Sequence, residues 1–251
     1  MSGWILVGGV GQLYQGDLDL GRLAAEALID AGLGPHVLVE ELHYGAVAVA
    51  QRLQELEPIG LVLVGAEPRG RVPGTVRRRR VPVTPIEPEE AQRAVSEAST
   101  GYVGIDLVVD VARAFDALPP WTVVVEVEPL TVGPGLPLSE PARRGLDEAI
   151  ALVCQETGRL PVLELAAQLR RLVADPDRLK PSRALDALHH LLDELGETEV
   201  EGRWGHTFRW RDRLRHAIAA GHTGIGMGHL DWGLWWALIE ALDRLEAAES
   251  G

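Results

Sequence analysis

The sequence predicts an α/β fold: a mostly parallel sheet with helices on both faces, continued by a mainly helical C-terminal appendage. Three observations predict it. Residues 4–10 and 59–64 are short, continuous apolar runs and 121–127 reads as a further buried strand, the pattern of a parallel sheet covered on both faces. The segments between them carry helical spacing, and strand–helix alternation of this kind builds right-handed βαβ units. Beyond residue 158 the strand signal mostly vanishes and helical periodicity takes over. The domains expected are therefore 1–158 and 159–251.

In chain order, residues 4–10 enter a turn marked by Gly8, Gly9 and Gly11, and helical spacing follows over 18–28, stopping at Gly32. A short strand is expected at 37–39, a helix over 46–56 ended by Pro58, and a third strand at 59–64. Arg71 to Val76 reads as a turn leading into an edge strand that carries Arg77 to Arg80. Four arginines in a row suit either a solvated edge that resists aggregation or a docking patch for an acidic partner. Residues 107–118 read as a helix stopped by Pro119 and Pro120, and 121–127 as the next buried strand. A helix over 139–156 closes the domain, with Ser139 placed to cap it and Glu140 near the positive end of its dipole. Further helices are expected at 160–173, 182–195 and 234–247.

The formal charge of −13 repels phosphate backbones and anionic membrane surfaces, so neither nucleic acid nor membrane is an expected partner. No apolar run is long enough for a span, and residues 1–10 lack the form of a signal peptide, so a cytoplasmic protein is expected. Cys154, the single cysteine, sits in an apolar helical pattern and reads as a buried, inert thiol.

The residues Trp4-Ile5-Leu6-Val7-Gly8-Gly9-Val10-Gly11-Gln12, then Gly16-Asp17 and Gly21, resemble the opening of the hydrogenase maturation proteases: a strand, a Gly-rich turn, an acidic segment and a helix. Pro73-Gly74-Thr75 resembles that family's P-G-T segment. The stretch from Val125 to Pro129, with Gly133 to Ser139, resembles its last strand and the loop before its final helix. The resemblance implies a phosphorylase-like α/β fold and an endopeptidase, a peptidase of the hydrolase class. Such a protease trims the C-terminus of a nickel–iron hydrogenase large subunit. It implies no cofactor of the chain's own: nickel arrives with the substrate and is met by two carboxylates and a histidine, residue types suited to it.

The positions that match those three ligands hold Leu18, Gly65 and Gly101. Neither leucine nor glycine has a side chain that binds metal. Two readings follow. In one, a protease-like pseudoenzyme binds the large subunit, or an assembly complex containing it, without cutting. In the other, an active nickel-dependent endopeptidase uses relocated ligands drawn from Asp17, Asp19, His43 and Glu67, all of which follow strand ends, where ligands of open α/β sheets gather. An enzyme of another class, suggested by likeness to nucleoside phosphorylases, lacks a phosphate-binding signature.

In the appendage, Trp204, Trp210, Trp232, Trp235 and Trp236 form either a partner interface or the appendage's own core. His206, His216, His222 and His229 lie among them without the spacing of a helical metal pair.

Overall fold

The computed structural model describes residues 4–101, 103–173, 200–201 and 236–242. A six-stranded sheet runs in the order β2-β1-β3-β5-β4-β6. Strands β1 (Ile5–Gly9), β2 (Val37–Glu41), β3 (Gly60–Ala66) and β5 (Trp121–Val127) are parallel, whereas β4 (Val76–Val81) and β6 (Val200–Glu201) are antiparallel to their neighbours. The chain divides into two compact units, Met1–Thr157 with Glu199–Arg203, and Gly158–Thr198 with Trp204–Gly251.

Residues in register across strands share a face, and successive residues alternate faces. Leu6, Leu61, Leu63, Val124 and Val81 point to one side, where they form a core with α2 (Ala46–Leu56), α3 (Pro88–Ala98) and α4 (Ile105–Ala114). On the other side, Gly9 faces Gly21 and Ala25 of α1 (Leu20–Ala31), and Val127 faces Gly145 of α5 (Glu140–Val173). Helices thus cover both faces, as a buried parallel sheet requires. The expected strands and helices at 46–56 and 121–127 form over those residues.

Four differences from the sequence expectation have physical causes. Helix α3 was not expected, because only Ala94 of its eleven residues is buried and its surface is charged, leaving little apolar periodicity to read. Helix α4 begins earlier than expected, at Ile105, and ends before Asp116 turns the chain through a left-handed conformation at φ 52°. The helix that closes the first unit does not stop at residue 156. It continues to Val173 through Pro161, whose ring removes one helical hydrogen bond but sits between the buried Leu160 and Val162. The expected helix at 182–195 and most of that at 234–247 lie outside the described residues, apart from helical residues 236–242.

The fourth difference concerns β4, which is an inner strand: β5 pairs with one side of it and the two residues of β6 with the other. Of its arginines, Arg78 is fully buried and Arg77, Arg79 and Arg80 are partly buried. Alternation sends Arg78 and Arg79 to opposite faces, and each meets a carboxylate there. Arg78 is fully buried and faces Glu156 of α5 at 3.2 Å through both Nε and Nη2, while Arg79 donates to Asp106 of α4 at 2.7 Å. Arg80 lies over the Trp121 ring, 4.2 Å from its centre.

A buried charge stripped of its partner is far costlier than a buried pair replaced whole. Arg78→Met is therefore expected to lower stability by about 3–5 kcal/mol, and adding Glu156→Leu to recover part of that loss, since both side chains have further partners. Urea denaturation measures both. A double variant no more stable than the single one would show that the ion pair is not what the arginine contributes.

Candidate functional site at the carboxyl ends of the strands

The loops that follow β1, β3 and β5 meet at one end of the sheet, because β3 lies between the other two. Asp17 joins two of these loops. Its side chain has no solvent exposure. The carboxylate accepts hydrogen bonds from the Leu130, Thr131 and Ser139 amides at 2.7–2.9 Å and from the Ser139 hydroxyl at 2.8 Å. Its own amide donates to the Thr131 carbonyl at 2.9 Å. Burial pushes its pKa up, but the bonds from Ser139, Thr131 and Leu130 outweigh burial and hold it below the ordinary aspartate value. Ser139 in turn caps α5, its hydroxyl accepting from the Ala142 amide at 3.3 Å.

The other three residues considered as relocated ligands have partners of their own. Asp19 forms a two-pronged pair with Arg22 at 2.6 and 2.9 Å. His43 is part-exposed after β2, with its Nδ1 3.5 Å from Glu41. Glu67 accepts the amide of Ile105 at 3.2 Å, at the N-terminus of α4. Among the described residues, no group of three or more His, Cys, Asp or Glu side chains is arranged to hold a metal ion. The structure therefore places these four at one end of the sheet without making them a ligand set.

The matched ligand positions are as informative. At Gly65 a side chain would start 2.3 Å from the Val10 carbonyl oxygen and 3.3 Å from Ile105 Cδ1. The Val10 backbone is fixed there by its amide, which donates to the Val64 carbonyl at 2.8 Å. The turn after β1 thus occupies the space that a carboxylate on β3 would need. Gly101 lies in a left-handed turn at φ 81°, a conformation that suits glycine and strains histidine. Leu18 is partly buried within the short 3-10 turn Asp17–Asp19.

An arginine–carboxylate network lies on the α4 side. Glu126, the penultimate residue of β5, is fully buried and accepts from Arg69 at 3.0 Å and from Arg71, with Arg79 3.7 Å away. Arg69 also forks onto Asp106 at 2.6 and 2.8 Å, and the amides of Arg69 and Gly70 donate to Glu128 at 2.9 and 3.0 Å. Burial raises the Glu126 pKa, but the bonds from Arg69 and Arg71 overcome it and leave it low. Asp106 is lowered chiefly by its bonds to Arg69. Carboxylates held this way are poor bases and poor metal ligands.

The sequence places Arg71, Arg79, Glu126 and Glu128 in a turn and two strands but does not pair them. The signal was present: a glutamate amid the apolar run 121–127 must be paired if that strand is buried. Beside the network lies a cavity of about 220 Å³ lined by Glu67, Glu90, Glu97, Asp106 and Asp110, with Arg93. Burial, together with the charge of Asp106, raises the pKa of Glu67, and burial raises that of Asp110.

Of the candidate interface residues, Trp236 is described and is 57% exposed. Trp204, Trp210, Trp232 and Trp235 lie outside the described residues, as do the four histidines of that segment. Cys154 is partly buried, and burial pushes its thiol pKa up. No described helix is long and apolar enough to cross a membrane.

Fold and strand-end loops together define an α/β protein with a mixed, mostly parallel sheet whose carboxyl ends carry a buried polar network. This architecture is similar to that of the hydrogenase maturation proteases. Among solved structures, it is similar to hydrogenase 2 maturation peptidase from a Thaumarchaeota archaeon, at 22% identity over 62% of this chain and 98% of that one, with a TM-score of 0.47. It is similar also to the NiFe hydrogenase maturation protease HycI from Thermococcus kodakarensis, at 19% identity over 62% and 92% with a TM-score of 0.45. For hydrogenase maturating endopeptidase HybD from E. coli the figures are 22%, 67% and 93%, and 0.43. No family model and no curated protein matches the sequence.

Asp17→Asn keeps the size of the side chain but turns an amide donor toward a set of donors. It is expected to cost about 3 kcal/mol, measured by urea denaturation at neutral pH. Because the folded-state pKa of Asp17 is lowered, its stabilisation is complete above the ordinary aspartate pKa and is lost as pH falls through the lower, folded value. Between about pH 5 and about pH 3 the wild-type chain should therefore lose more stability than Asp17→Asn. Equal losses would remove Asp17 from the acid transition.

Glu67 has the opposite sign. A carboxylate whose folded-state pKa is raised destabilises the fold as pH climbs from the ordinary glutamate value through the folded one. Glu67→Gln keeps an oxygen for the Ile105 amide and removes the charge. It should raise the neutral-pH melting temperature by about 2–4 °C while leaving it unchanged in acid. A lower melting temperature at neutral pH would mean that the charge itself is needed.

Proposed function

We propose that this chain acts in the maturation or assembly of a nickel–iron hydrogenase large subunit by binding that subunit, or a complex containing it, without cutting it. One observation carries the reading: the turn carrying Val10 fills the space beside Gly65 that a ligand side chain on β3 would need. The occupants of the other two matched positions, Leu18 and Gly101, agree with it. So does the commitment of nearby carboxylates to amides and arginines, which leaves Asp17, Asp19 and Glu126 without the open coordination that a nickel-bearing substrate would demand. The likeness in fold supplies the choice of partner. Nickel enters only as part of the substrate.

Losing the ligands removes the means of recognising nickel and of polarising a scissile carbonyl, but it leaves the loops at the strand ends in place. A protein so altered can still hold a large subunit while other steps proceed. Incubation of the purified full chain with an unprocessed, nickel-loaded large subunit, followed by intact-mass measurement, tests this. Complex formation with unchanged large-subunit mass is expected, together with less than about a tenth of an equivalent of nickel on the dialysed chain alone. A large subunit shortened at its C-terminus would restore the endopeptidase reading.

A further inference from the structure

Two loops at the strand ends are free of charged residues. Residues 10–16 and 129–139 contain no Asp, Glu, Lys, Arg or His, although the chain as a whole carries −13. Instead they expose Leu13 (37%), Tyr14 (68%), Leu130 (55%), Val132 (56%) and Leu136 (47%). The two loops are bound to each other. Gly135 donates to the Tyr14 carbonyl at 2.8 Å, Asp17 donates to that of Thr131, Gly16 bridges Val132, and the Asp17 carboxylate holds the base of the second loop. Tyr14 is kept in a left-handed conformation at φ 58° that its side chain does not favour. An exposed apolar lobe fixed by this many backbone bonds is pre-organised for contact, which lowers the entropic cost of binding.

We propose that this lobe docks an uncharged, aliphatic segment of the hydrogenase large subunit, a proposal that rests on the reading under Proposed function. Charge selects the occupant. A partner's charged side chain laid on the lobe would lose its water, and the charge nearest the lobe, Arg22 over the Tyr14 ring at 5.5 Å, is already neutralised by Asp19 and Glu26. A second copy of this chain would bring −13 against −13, and an anionic lipid surface would be repelled likewise. An uncharged segment of a different protein meets neither obstacle. Tyr14 supplies the aromatic anchor typical of such contacts, and the leucines around it supply apolar area that excludes water.

The test measures binding of the purified full chain to an immobilised, unprocessed large subunit. Leu130→Glu with Leu136→Glu should weaken binding by about 30-fold or more, the loss typical of anchor residues. Tyr14→Gly should also weaken it, and this variant protects against misfolding, because glycine adopts the left-handed conformation without strain. Val72→Glu, at a residue 75% exposed outside both loops, should bind within about twofold of wild type. Thermal melts check that each variant is folded. If the wild-type chain binds and folded lobe variants bind equally well, the docking assignment is overturned while the proposed function stands. If the wild-type chain does not bind, both fall. A wild-type dimer in sedimentation that the lobe variants dissolve, with large-subunit binding intact, assigns the lobe to a second copy and overturns the proposal.

Discussion

Placing a carboxylate out of contact with water is tolerable only where other groups replace its hydration, and at Asp17 three amides and a hydroxyl do so. The donors come from residues far along the chain, so one side chain ties the turn after β1 to the loop after β5 and to the first turn of α5. The consequences reach outward from there. Ser139 is held where it caps α5, the Gly16 and Val132 backbones are brought into pairing, and the uncharged lobe above them acquires its shape. The end of β3 is closed by a different bond, the Val10 amide to the Val64 carbonyl, which sets the Val10 carbonyl against Gly65. What this end of the sheet can and cannot hold follows from that closure.

The second constraint is the alternation of β4. A strand with four successive arginines, placed inside a sheet, must send charge to both faces, and each face must answer with acid. Glu156 answers on the α5 side and Asp106 and Glu126 on the α4 side. Arg69 and Arg71 from the loop after β3 complete the neutralisation of Glu126. Such a network costs desolvation energy and returns geometric definition, since removing one member strands the others. It also disarms the acids nearest the network: a carboxylate held in guanidinium forks is a poor metal ligand and has little tendency to take a proton. Glu67 and Asp110 stand apart, because the cavity they line holds several acids and their pKa values are raised. The same end of the sheet thus combines a neutralised interior, an acidic cavity and an apolar lobe.

The fold class, the strands at 4–10, 59–64 and 121–127, the helix at 46–56 and the Ser139 cap could all be read from the sequence, because each rests on short-range patterns. A run of buried apolar residues, a glycine turn and a capping serine are local facts. So are the identities of Leu18, Gly65 and Gly101, since a residue without a ligand atom is recognisable in one dimension. Helix α3 escaped notice because its exposed, charged surface leaves almost no periodic trace. The segments 139–156 and 160–173 read as two helices, whereas one helix runs through both, with Pro161 between the buried Leu160 and Val162.

Pairing was decided by tertiary structure alone. The sequence shows four arginines but not that β4 is flanked by β5 and β6, so whether they meet water or carboxylates depends on strand order. It shows Asp17, Asp19, His43 and Glu67 after successive strands but not which atoms face them, and each turns to a different partner. It shows a glycine at 65 but not the carbonyl 2.3 Å from where a side chain would begin. Composition and periodicity determine which residues seek burial, because that preference belongs to each side chain. Which charges neutralise one another, and which space is already full, depends on groups brought together from distant parts of the chain, and only the folded arrangement supplies that.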